Sequence, residues 1–351
     1  MISSSSTYCL IVFSTLITSE LLLGQQPNDT VCVAFWNLEN LFDTVDDQDK
    51  DDEEFLPDGK KEWTEERLDK KSYNISRVIR SINNGVGPDI LGVCEVEHQS
   101  LLDNLISEFL PDKNYKTTYI ESPDNRGIDN GLIYNADKFT LLSMSADTVQ
   151  LSDGYPTRLI LNVILLTELK DTLIVFVNHW PSRRGGEVES EPNRISAGET
   201  LKKSVGKYSL SRKNPNIIIL GDFNDEPANN SLLKTLKAEA YLCDSVTENG
   251  LTAAKYRLFN LSYKVFMTGE GSYKYRDDWN MLDQIIVSNA LLSGDIEYIC
   301  SSFEVFKPEL MITRTGKYTG TPFPTYGGSR YLGGYSDHFP VTAKFLLRKQ
   351  R

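Results

Sequence analysis

Histidine and cysteine are scarce in this chain of 351 residues, and their spacing argues against several kinds of site. The three histidines, His98, His179 and His338, form no HxxxH or HExxH pattern, so a zinc site is not indicated. The five cysteines contain no CxxC pair, which argues against a zinc ribbon and a thioredoxin motif. No GxSxG elbow is present either, which argues against an α/β-hydrolase serine.

Basic residues are fewer than acidic residues in this chain. The formal net charge is −12, from 37 Lys and Arg against 49 Asp and Glu. Tight, non-specific DNA binding depends on neutralising many phosphates with Lys and Arg, so this balance argues against it, although a local basic cleft remains compatible. A hydrophobic content of 40% with 10% aromatic residues is typical of a globular protein.

The N-terminus lacks Lys and Arg as far as Lys50. Its apolar stretch, residues 8–23, contains Glu20 and is short for a membrane span. With Gly24 and a polar segment after it, the stretch predicts a secretory signal over residues 1–24, although the positive leading region is missing. We therefore expect an exported protein, periplasmic or extracellular, without stable membrane insertion once the signal is removed; a buried helix is the alternative.

Four cysteines, Cys32, Cys94, Cys243 and Cys300, follow the predicted signal. In an exported protein they could form one or two disulfides. Cys32 and Cys94 lie in apolar strands, where buried free thiols are equally compatible. The sequence leaves both alternatives open.

Residues 30–349 show no internal repeat, Gly/Ser linker or change of composition, which predicts a single domain. Apolar runs predict strands over 31–36, 89–94, 130–135, 158–167, 171–178, 216–220, 283–288 and 339–347. Helical spacing predicts helices over 64–83, with Thr64 as N-cap, 100–110 and 194–210. Many strands are apolar on both faces, so helices should cover the sheets of an α/β or α+β domain.

An acidic segment, "FDTVDDQDKDDEEFLPDG", follows the first strand and includes Asp47, Asp49 and Asp51 at alternate positions. An EF-hand would need Gly and Glu where the chain has Asp52 and Asp58. We interpret the segment as a solvated surface insert.

Polar residues end four of the apolar strands and begin two others. The four strand ends carry Asn37 and Glu39, Glu95 and Glu97, His179, and Asp222 and Asn224; the two strand starts carry Asp283 and the pair Asp337 and His338. If all six groups meet, the last two strands must run antiparallel to the first four, in mixed sheets. Carboxylates and amides are hard oxygen ligands that suit Mg²⁺, Mn²⁺ or Ca²⁺, and such a site suits phosphoesters.

The segments "WNLEN", "GVCEVE", "NHWPSR", "GDFND", "LDQIIVS" and "YSDHFP" resemble, in this order, the motifs of the DNase I-like endonuclease/exonuclease/phosphatase superfamily. "RGIDNGLIY" resembles a strand of its exported bacterial members. The resemblance implies a four-layer sandwich, with two mixed β-sheets packed face to face and helices on the outside.

The resemblance also implies roles for individual residues. The catalytic residues would be His179, Asp222, Asn224, Asp283 and His338. The metal, Mg²⁺ with Mn²⁺ or Ca²⁺ as alternatives, would be held by Glu95, Asn37, Glu39 and Asp337. The substrate phosphate would be contacted by Asn37, Arg183 and Arg194.

Within this implied site, Asp222 would orient or deprotonate the attacking water, and Asp283 would hold the ring of His338. Asp129 would orient His179. We interpret Glu97 as a surface residue and His98 as an exposed loop residue.

We therefore expect a monomeric, exported, metal-dependent phosphoester hydrolase in which water attacks phosphorus directly. Its substrate would be a phosphodiester, nucleic acid among the candidates, because "SYKYRDDW" (272–279) could hold a base or sugar. A phosphomonoesterase acting on small sugar, inositol or lipid phosphates is the alternative. A catalytically silent phospho-ligand-binding module is the alternative of another class.

Overall fold

The computed structural model of the protein describes residues 30–243 and 256–348. The predicted signal, residues 1–24, lies outside the described residues.

The strands are β1 (Thr30–Leu41), β2 (Ile90–Val96), β3 (Tyr115–Tyr119), β4 (Asp129–Asn135), β5 (Phe139–Asp147), β6 (Ile160–Thr167), β7 (Thr172–His179), β8 (Asn216–Asp222), β9 (Ala238–Ala240), β10 (Leu258–Asn260), β11 (Tyr273–Tyr275), β12 (Asp278–Asn280), β13 (Asp283–Ser288), β14 (Ile296–Tyr298), β15 (Glu304–Val305), β16 (Tyr326–Gly327), β17 (Arg330–Tyr331) and β18 (Val341–Leu347).

Helices connect many of these strands. The α-helices are α1 (Glu65–Ser81), α2 (Gln99–Asn104), α3 (Glu187–Ser211) and α4 (Tyr263–Phe266). Short 3₁₀ turns cover Glu53–Phe55, Asn83–Gly85, Asn289–Leu292 and Glu309–Met311, and π turns cover Leu105–Phe109 and Ser231–Leu236.

Two large mixed sheets form the centre of the fold. The first has the order β14–β18–β1–β2–β4–β3, with β15 also paired to β18, and the second has the order β5–β6–β7–β8–β13–β10–β9. β1 and β2 are parallel, as are β7 and β8, whereas β18 runs antiparallel to β1 and β13 antiparallel to β8. The mixed topology inferred from the positions of the polar residues is therefore confirmed.

The central strands are buried on both faces, as their continuous apolar runs predicted. In β7, Val175 belongs to the core between the sheets, while its neighbours Ile174 and Phe176 pack in the cluster that includes Leu201 of α3. Alternate side chains of one strand thus serve two different layers. This arrangement gives the layered sandwich of sheets and outer helices.

The two long helices begin at different kinds of residue. Thr64 caps α1 as predicted, because its side chain accepts a hydrogen bond from the backbone nitrogen of Arg67. α3 begins after Gly186, earlier than residue 194, where the sequence predicted it to start, and it continues through Pro192. Gly186 has a φ of 130°, a backbone conformation that favours glycine.

The sequence did not decide which of the four cysteines are paired. In the structure, Cys243 and Cys300 form a disulfide. Cys32 and Cys94 are free and buried. Burial raises the pKa of the Cys32 thiol to about 12, so this thiol is protonated and unreactive in the folded protein.

Candidate active site

Polar residues from six strands meet at one edge of the paired sheets. These residues are Asn37, Glu95, His179 and Asp222 on β1, β2, β7 and β8, and Asp283 and His338 at or before the first residues of β13 and β18. The parallel register of β7 and β8 sets His179 beside Asp222, and the antiparallel register of β13 sets Asp283 opposite Asp222. The topology therefore collects side chains that are distant in the sequence.

The amide of Asn37 connects the two sheets. Its Nδ2 atom lies 3.1 Å from Oδ2 of Asp222 and 3.2 Å from Oε1 of Glu95, and it donates to both. Its Oδ1 atom accepts a hydrogen bond from the backbone nitrogen of Glu39. The other carboxylate oxygen of Glu95 accepts from the backbone nitrogen of Asn40 at 2.9 Å. Asn37 therefore presents a donor to the site and orients both carboxylates.

The backbone turns left-handed where these strands end. Glu39, Glu95 and Asn224 have φ values of 53°, 61° and 50°, which are uncommon for residues other than glycine and concentrate at functional sites. Asn224 therefore does not stand beside Asp222 in strand fashion. Its backbone nitrogen donates to Oδ1 of Asp222 at 2.9 Å, while its side chain donates to the backbone oxygen of Trp180 at 3.0 Å.

His338 is held through Nδ1, one face of its ring and its backbone oxygen. Its Nδ1 atom lies 2.7 Å from Oδ2 of Asp283, and the ring of Tyr273 stacks on its imidazole with centroids 4.6 Å apart. Its backbone oxygen accepts from Nε1 of Trp36 at 2.9 Å. With Nδ1 bound to Asp283, the Nε2 atom faces Asp222, whose Oδ2 lies 4.0 Å away. The predicted pairing of Asp283 with His338 is thus present in the structure.

Neighbouring charges control the protonation of His338. Burial alone would lower the pKa of its imidazole, but the charge and hydrogen bond of Asp283, together with Asp337 and Asp222, outweigh burial and hold the pKa well above its ordinary value of 6.5. His338 is therefore a cation at neutral pH. A buried cation at this position suits an anionic substrate group.

The pKa of His179 is shifted in the opposite direction to that of His338. Burial, and then the positive charges of Arg158, Arg126 and His338, hold the pKa of His179 well below its ordinary value. Its Nε2 atom lies 3.8 Å from both Oε1 of Glu95 and Oδ2 of Asp222. His179 is therefore a neutral imidazole directed at the two carboxylates.

The residue that was expected to orient His179 does not do so. Among the described residues, Nδ1 of His179 has no hydrogen-bond partner. Asp129 instead accepts a hydrogen bond from the hydroxyl of Tyr119 at 2.6 Å. The prediction for Asp129 is wrong, because its carboxylate is hydrogen-bonded to Tyr119 and Nδ1 of His179 makes no hydrogen bond to it.

The carboxylates of the site fit a hard divalent cation. Oxygens of Asp222 and Asp283 and a ring nitrogen of His338 lie within 4.8 Å of one another, but protonated His338 offers no lone pair, so the carboxylates are the available ligands. Glu95 and Asp337 line the same cleft. Oδ1 of Asp283 is buried without a hydrogen-bond partner in the described part of the chain, and burial raises the pKa of Asp222 to about 6. Such crowded, buried carboxylates are the donor set that Mg²⁺, Mn²⁺ and Ca²⁺ prefer.

Glu39 points toward a neighbouring loop. Its carboxylate oxygens accept hydrogen bonds from the backbone nitrogens of Thr325 and Tyr326 at 2.6 and 3.2 Å. Lys71, also buried, donates to the backbone oxygen of Glu39 at 2.7 Å. Burial, and then the charge of Asp337, raise the pKa of Glu39 to about 7. Its role as a secondary metal ligand stays a prediction.

The site opens into a cleft of about 600 Å³. Arg126, Arg183, Arg184, Tyr273 and Tyr275 line its outer part. Arg126 and Tyr273 were not predicted as site residues, although they belong to the motif-like segments "RGIDNGLIY" and "SYKYRDDW". Neither segment has a spacing that predicts which of its side chains faces the cleft.

The two arginines predicted to contact phosphate differ in position. Arg183 lines the cleft and donates from Nε to the backbone oxygen of Asn224 at 2.8 Å. Arg194, in contrast, has no exposed surface, and its Nε atom lies 2.7 Å from Oδ1 of Asp225. Contrary to the prediction, Arg194 is not in the cleft, because it faces the interior from α3 and neutralises a buried carboxylate.

Glu97 also departs from its predicted position. It is 2% exposed, and its Oε2 atom accepts a hydrogen bond from the backbone nitrogen of Asp43 at 2.7 Å. The interpretation of Glu97 as a surface residue is therefore wrong. Asp52, in the segment interpreted as a solvated insert, is likewise buried, at 1% exposure.

Comparison with protein-family models identifies the family of the chain. Residues 32–348 match the model of the endonuclease/exonuclease/phosphatase family. The chain belongs to this family. The resemblance inferred from the motifs is thus confirmed at the family level, and the protein is a member of a family of phosphoester hydrolases.

Solved structures show the same fold. The human nocturnin catalytic domain superposes with a TM-score of 0.52 at 17% identity, covering 90% of this chain and 94% of that one. A mannosyl-6-phosphatase of Bacteroides thetaiotaomicron gives 0.55 at 17% identity, with 90% and 99% covered. TDP2 of Caenorhabditis elegans gives 0.52 at 14% identity, with 91% and 98% covered. A search of curated protein sequences found no significant match.

No helix within residues 30–243 and 256–348 is long and apolar enough to cross a membrane.

Proposed function

We propose that the protein is an exported, divalent-metal-dependent phosphoester hydrolase in which water attacks phosphorus directly. One observation carries the proposal. Asp222 lies between a protonated His338, 4.0 Å away, and a neutral His179, 3.8 Å away, and Asn37 orients its carboxylate. This arrangement places a base where it can activate water and two donors where they can stabilise charge on a phosphate.

A divalent cation would be held by Glu95 and Asp337, and Asn37 would support the site through its hydrogen bond to Glu95. Glu39, whose carboxylate faces Thr325 and Tyr326, stays a predicted secondary ligand. We propose Mg²⁺, with Mn²⁺ and Ca²⁺ as alternatives, since oxygen donors predominate. Bound there, the cation offsets phosphate charge and favours ionisation of water.

Four side chains of the site have separate roles in the reaction. Asp222 accepts the proton of the attacking water, and a pKa of about 6 suits a base that works near neutral pH. Protonated His338 donates from Nε2 to a phosphoryl oxygen. His179 donates as a neutral imidazole to another oxygen on which charge develops. Asn224 helps to orient the water. The oxygen–phosphorus bond to water forms as the bond to the leaving oxygen breaks, so no covalent enzyme intermediate arises.

The cleft supports a small phosphoester as the substrate. Its volume of about 600 Å³ is of the size that encloses a small molecule. The net charge of −12 disfavours long polyanions. Tyr273 and Tyr275 offer aromatic faces against a base or a sugar. We therefore propose a phosphodiesterase or nuclease acting on short, single-stranded or nucleotide-sized substrates.

A phosphomonoesterase acting on a small sugar phosphate is the second candidate. The observation that favours it is the set of three arginines along the cleft, Arg126, Arg183 and Arg184, which suits a doubly charged phosphate. One structural neighbour is a mannosyl-6-phosphatase.

The disulfide between Cys243 and Cys300 supports export, because disulfides persist in oxidising compartments. We propose that the exported protein acts as a monomer, since one chain supplies every residue of the proposed site.

Hydrolysis assays test this proposal. The chain from residue 25 onward is treated with chelator and supplied with Mg²⁺, Mn²⁺ or Ca²⁺. Substrates are bis-p-nitrophenyl phosphate, p-nitrophenyl phosphate, mannose 6-phosphate, oligonucleotides and sphingomyelin, and His338→Ala serves as the inactive control. We expect metal-dependent cleavage of a small phosphoester that is lost in the control. Retained phosphate binding without turnover of any substrate would favour the catalytically silent module.

A further inference from the structure

A second group of potential metal ligands lies outside the catalytic cleft. Asp43 follows β1, and Glu97 and His98 follow β2. Each offers one ligand atom, and the three atoms lie within 4.8 Å of one another. None of the three residues lines the cleft described above. The group is thus separate from the proposed catalytic ligands.

A buried carboxylate without a partner belongs to the same region. Oδ1 of Asp52 has no hydrogen-bond partner in the described part of the chain, and Asp52 is 1% exposed. Its Oδ2 atom accepts from the backbone nitrogen of Asp47 at 3.1 Å. The negative charges of Asp43, Asp52 and Asp47 all act on Glu97. Burying a carboxylate without a counter-charge is costly, so an unpartnered buried oxygen indicates a missing ligand.

In the part of the chain that the structure describes, no side-chain cation pairs with the carboxylates of the loop 43–52 or with Glu97. Within residues 30–243 and 256–348, no ion pair includes Asp43, Asp47, Asp52 or Glu97. The nearby Lys50 is directed elsewhere, since its Nζ donates to the backbone oxygens of Ser122 and Asp124. Burial, and then the neighbouring charges, raise the pKa of Glu97 to about 8, so the group holds a proton near neutral pH unless a cation replaces it.

The loop that carries these carboxylates is held in place at both ends. The rings of Phe42 and Phe55 stack with centroids 4.3 Å apart, and Nε1 of Trp63 donates to the backbone oxygen of Phe42 at 3.0 Å. The backbone nitrogen of Asp51 donates to the backbone oxygen of Asn125 at 2.6 Å. A loop anchored in this way presents its carboxylates in a defined arrangement.

We propose that Asp43 and Glu97 bind a divalent cation beside the buried carboxylate of Asp52, and that this cation is Ca²⁺. Carboxylates are hard oxygen donors of high charge, and Ca²⁺ accepts six to eight oxygen ligands, water among them, in flexible geometry. His98 belongs to the same group, and its imidazole would instead favour Mn²⁺ or Zn²⁺ if it were a ligand. The ion would stabilise the acidic loop against the segment that carries Arg126 at the cleft.

Calorimetric titration of chelator-treated protein tests the proposal. A Glu95→Gln background weakens cation binding at the catalytic site, and salt screens non-specific attraction. Ca²⁺, Mn²⁺ and Zn²⁺ are titrated separately, and thermal unfolding is followed with and without each ion. The test variant is Asp52→Asn and the matched control is Asp49→Asn, which alters an exposed carboxylate of the same loop. Asp43→Asn, at a half-buried position, is the second test variant should Asp52→Asn not fold.

We expect one Ca²⁺ per chain in the background protein and a higher unfolding temperature when it is bound. Asp52→Asn or Asp43→Asn should weaken binding by at least about tenfold, and Asp49→Asn should leave it unchanged. Absence of saturable Ca²⁺ binding, or equal affinity in test and control variants, would overturn the proposal. Saturable binding of Zn²⁺ or Mn²⁺ without Ca²⁺ would overturn the calcium assignment. None of these outcomes depends on turnover of a phosphoester.

Discussion

The amide nitrogen of Asn37 and a carboxylate oxygen of Asp222 lie 3.1 Å apart, although the two residues belong to different sheets. The same nitrogen also donates to Glu95. The arrangement of the proposed base, Asp222, and the proposed metal ligand, Glu95, therefore depends on how the two sheets pack.

Removal of the Asn37 amide should impair catalysis more than folding. Asn37→Ala leaves the carboxylates of Asp222 and Glu95 without their shared donor, so kcat should fall by about 100-fold or more. Steady-state kinetics and thermal unfolding measure the two effects. Asn40→Gly is the matched control, because Asn40 contacts Glu95 through its backbone nitrogen and has a φ of 56° that glycine tolerates. A similar loss in both variants would contradict the role given to the amide.

Asp283→Asn should shift the pH dependence of activity. In the folded protein, burial lowers the pKa of His338. The charge and hydrogen bond of Asp283 act in the opposite direction and help to hold the pKa above its ordinary value. Without that charge, His338 loses its proton at a lower pH, and the alkaline limb of the kcat profile should move to lower pH. The limb should not move if another group controls it.

The same pair links pH to stability. A raised histidine pKa contributes stability that is fully present below the unfolded value of 6.5 and is lost as pH rises through the folded pKa. The stabilisation by low pH should therefore be smaller in Asp283→Asn. Urea unfolding of both proteins across this pH range measures the difference.

Arg184→Ala and Arg194→Met should separate substrate binding from folding. Arg184 lines the cleft, so its loss should raise KM with little change in stability. Arg194→Met leaves Asp225 as a buried, poorly compensated charge and should cost about 3–5 kcal/mol of stability. Chemical unfolding and kinetics of both variants test this. An unchanged free energy of unfolding in Arg194→Met would refute the structural role.

The disulfide should stabilise the mature chain. Cys243 and Cys300 are 57 residues apart, and loss of a native bridge typically costs about 2–5 kcal/mol. Reductant should lower the unfolding temperature of the wild type but not of a Cys243→Ser, Cys300→Ser double variant. In the chain from residue 25 onward, Cys32 and Cys94 should react with thiol reagents only after unfolding, because both are buried. Equal sensitivity of both proteins to reductant would contradict this account.

The sequence predicts the strand ends well because continuous apolar runs end where the chain must meet solvent. The assumption that the polar groups meet then predicts that the strands of Asp283 and His338 run antiparallel to their neighbours, as β13 and β18 do. Side-chain direction beyond the strand ends was not predictable in this way. Glu39, Glu95 and Asn224 adopt left-handed backbone conformations, and a strand period of two no longer applies there.

Two further features of the structure, β5 and the position of Arg194, differ from the predictions for physical reasons. β5 (Phe139–Asp147) was not predicted, since it is a largely exposed edge strand without a continuous apolar run. Arg194 was assigned to phosphate because arginine suits phosphate, but the helix that carries it turns this side chain toward Asp225. Composition indicates which chemistry a residue can perform, whereas the packing of its helix decides where the side chain points.

Asp222→Asn provides the most direct test of the central claim that Asp222 activates the attacking water. The substitution preserves the size of the side chain and removes the base. We predict that kcat falls by about 10²–10⁴-fold while inorganic phosphate still binds in the presence of metal. Turnover close to that of the wild type would contradict the proposed mechanism.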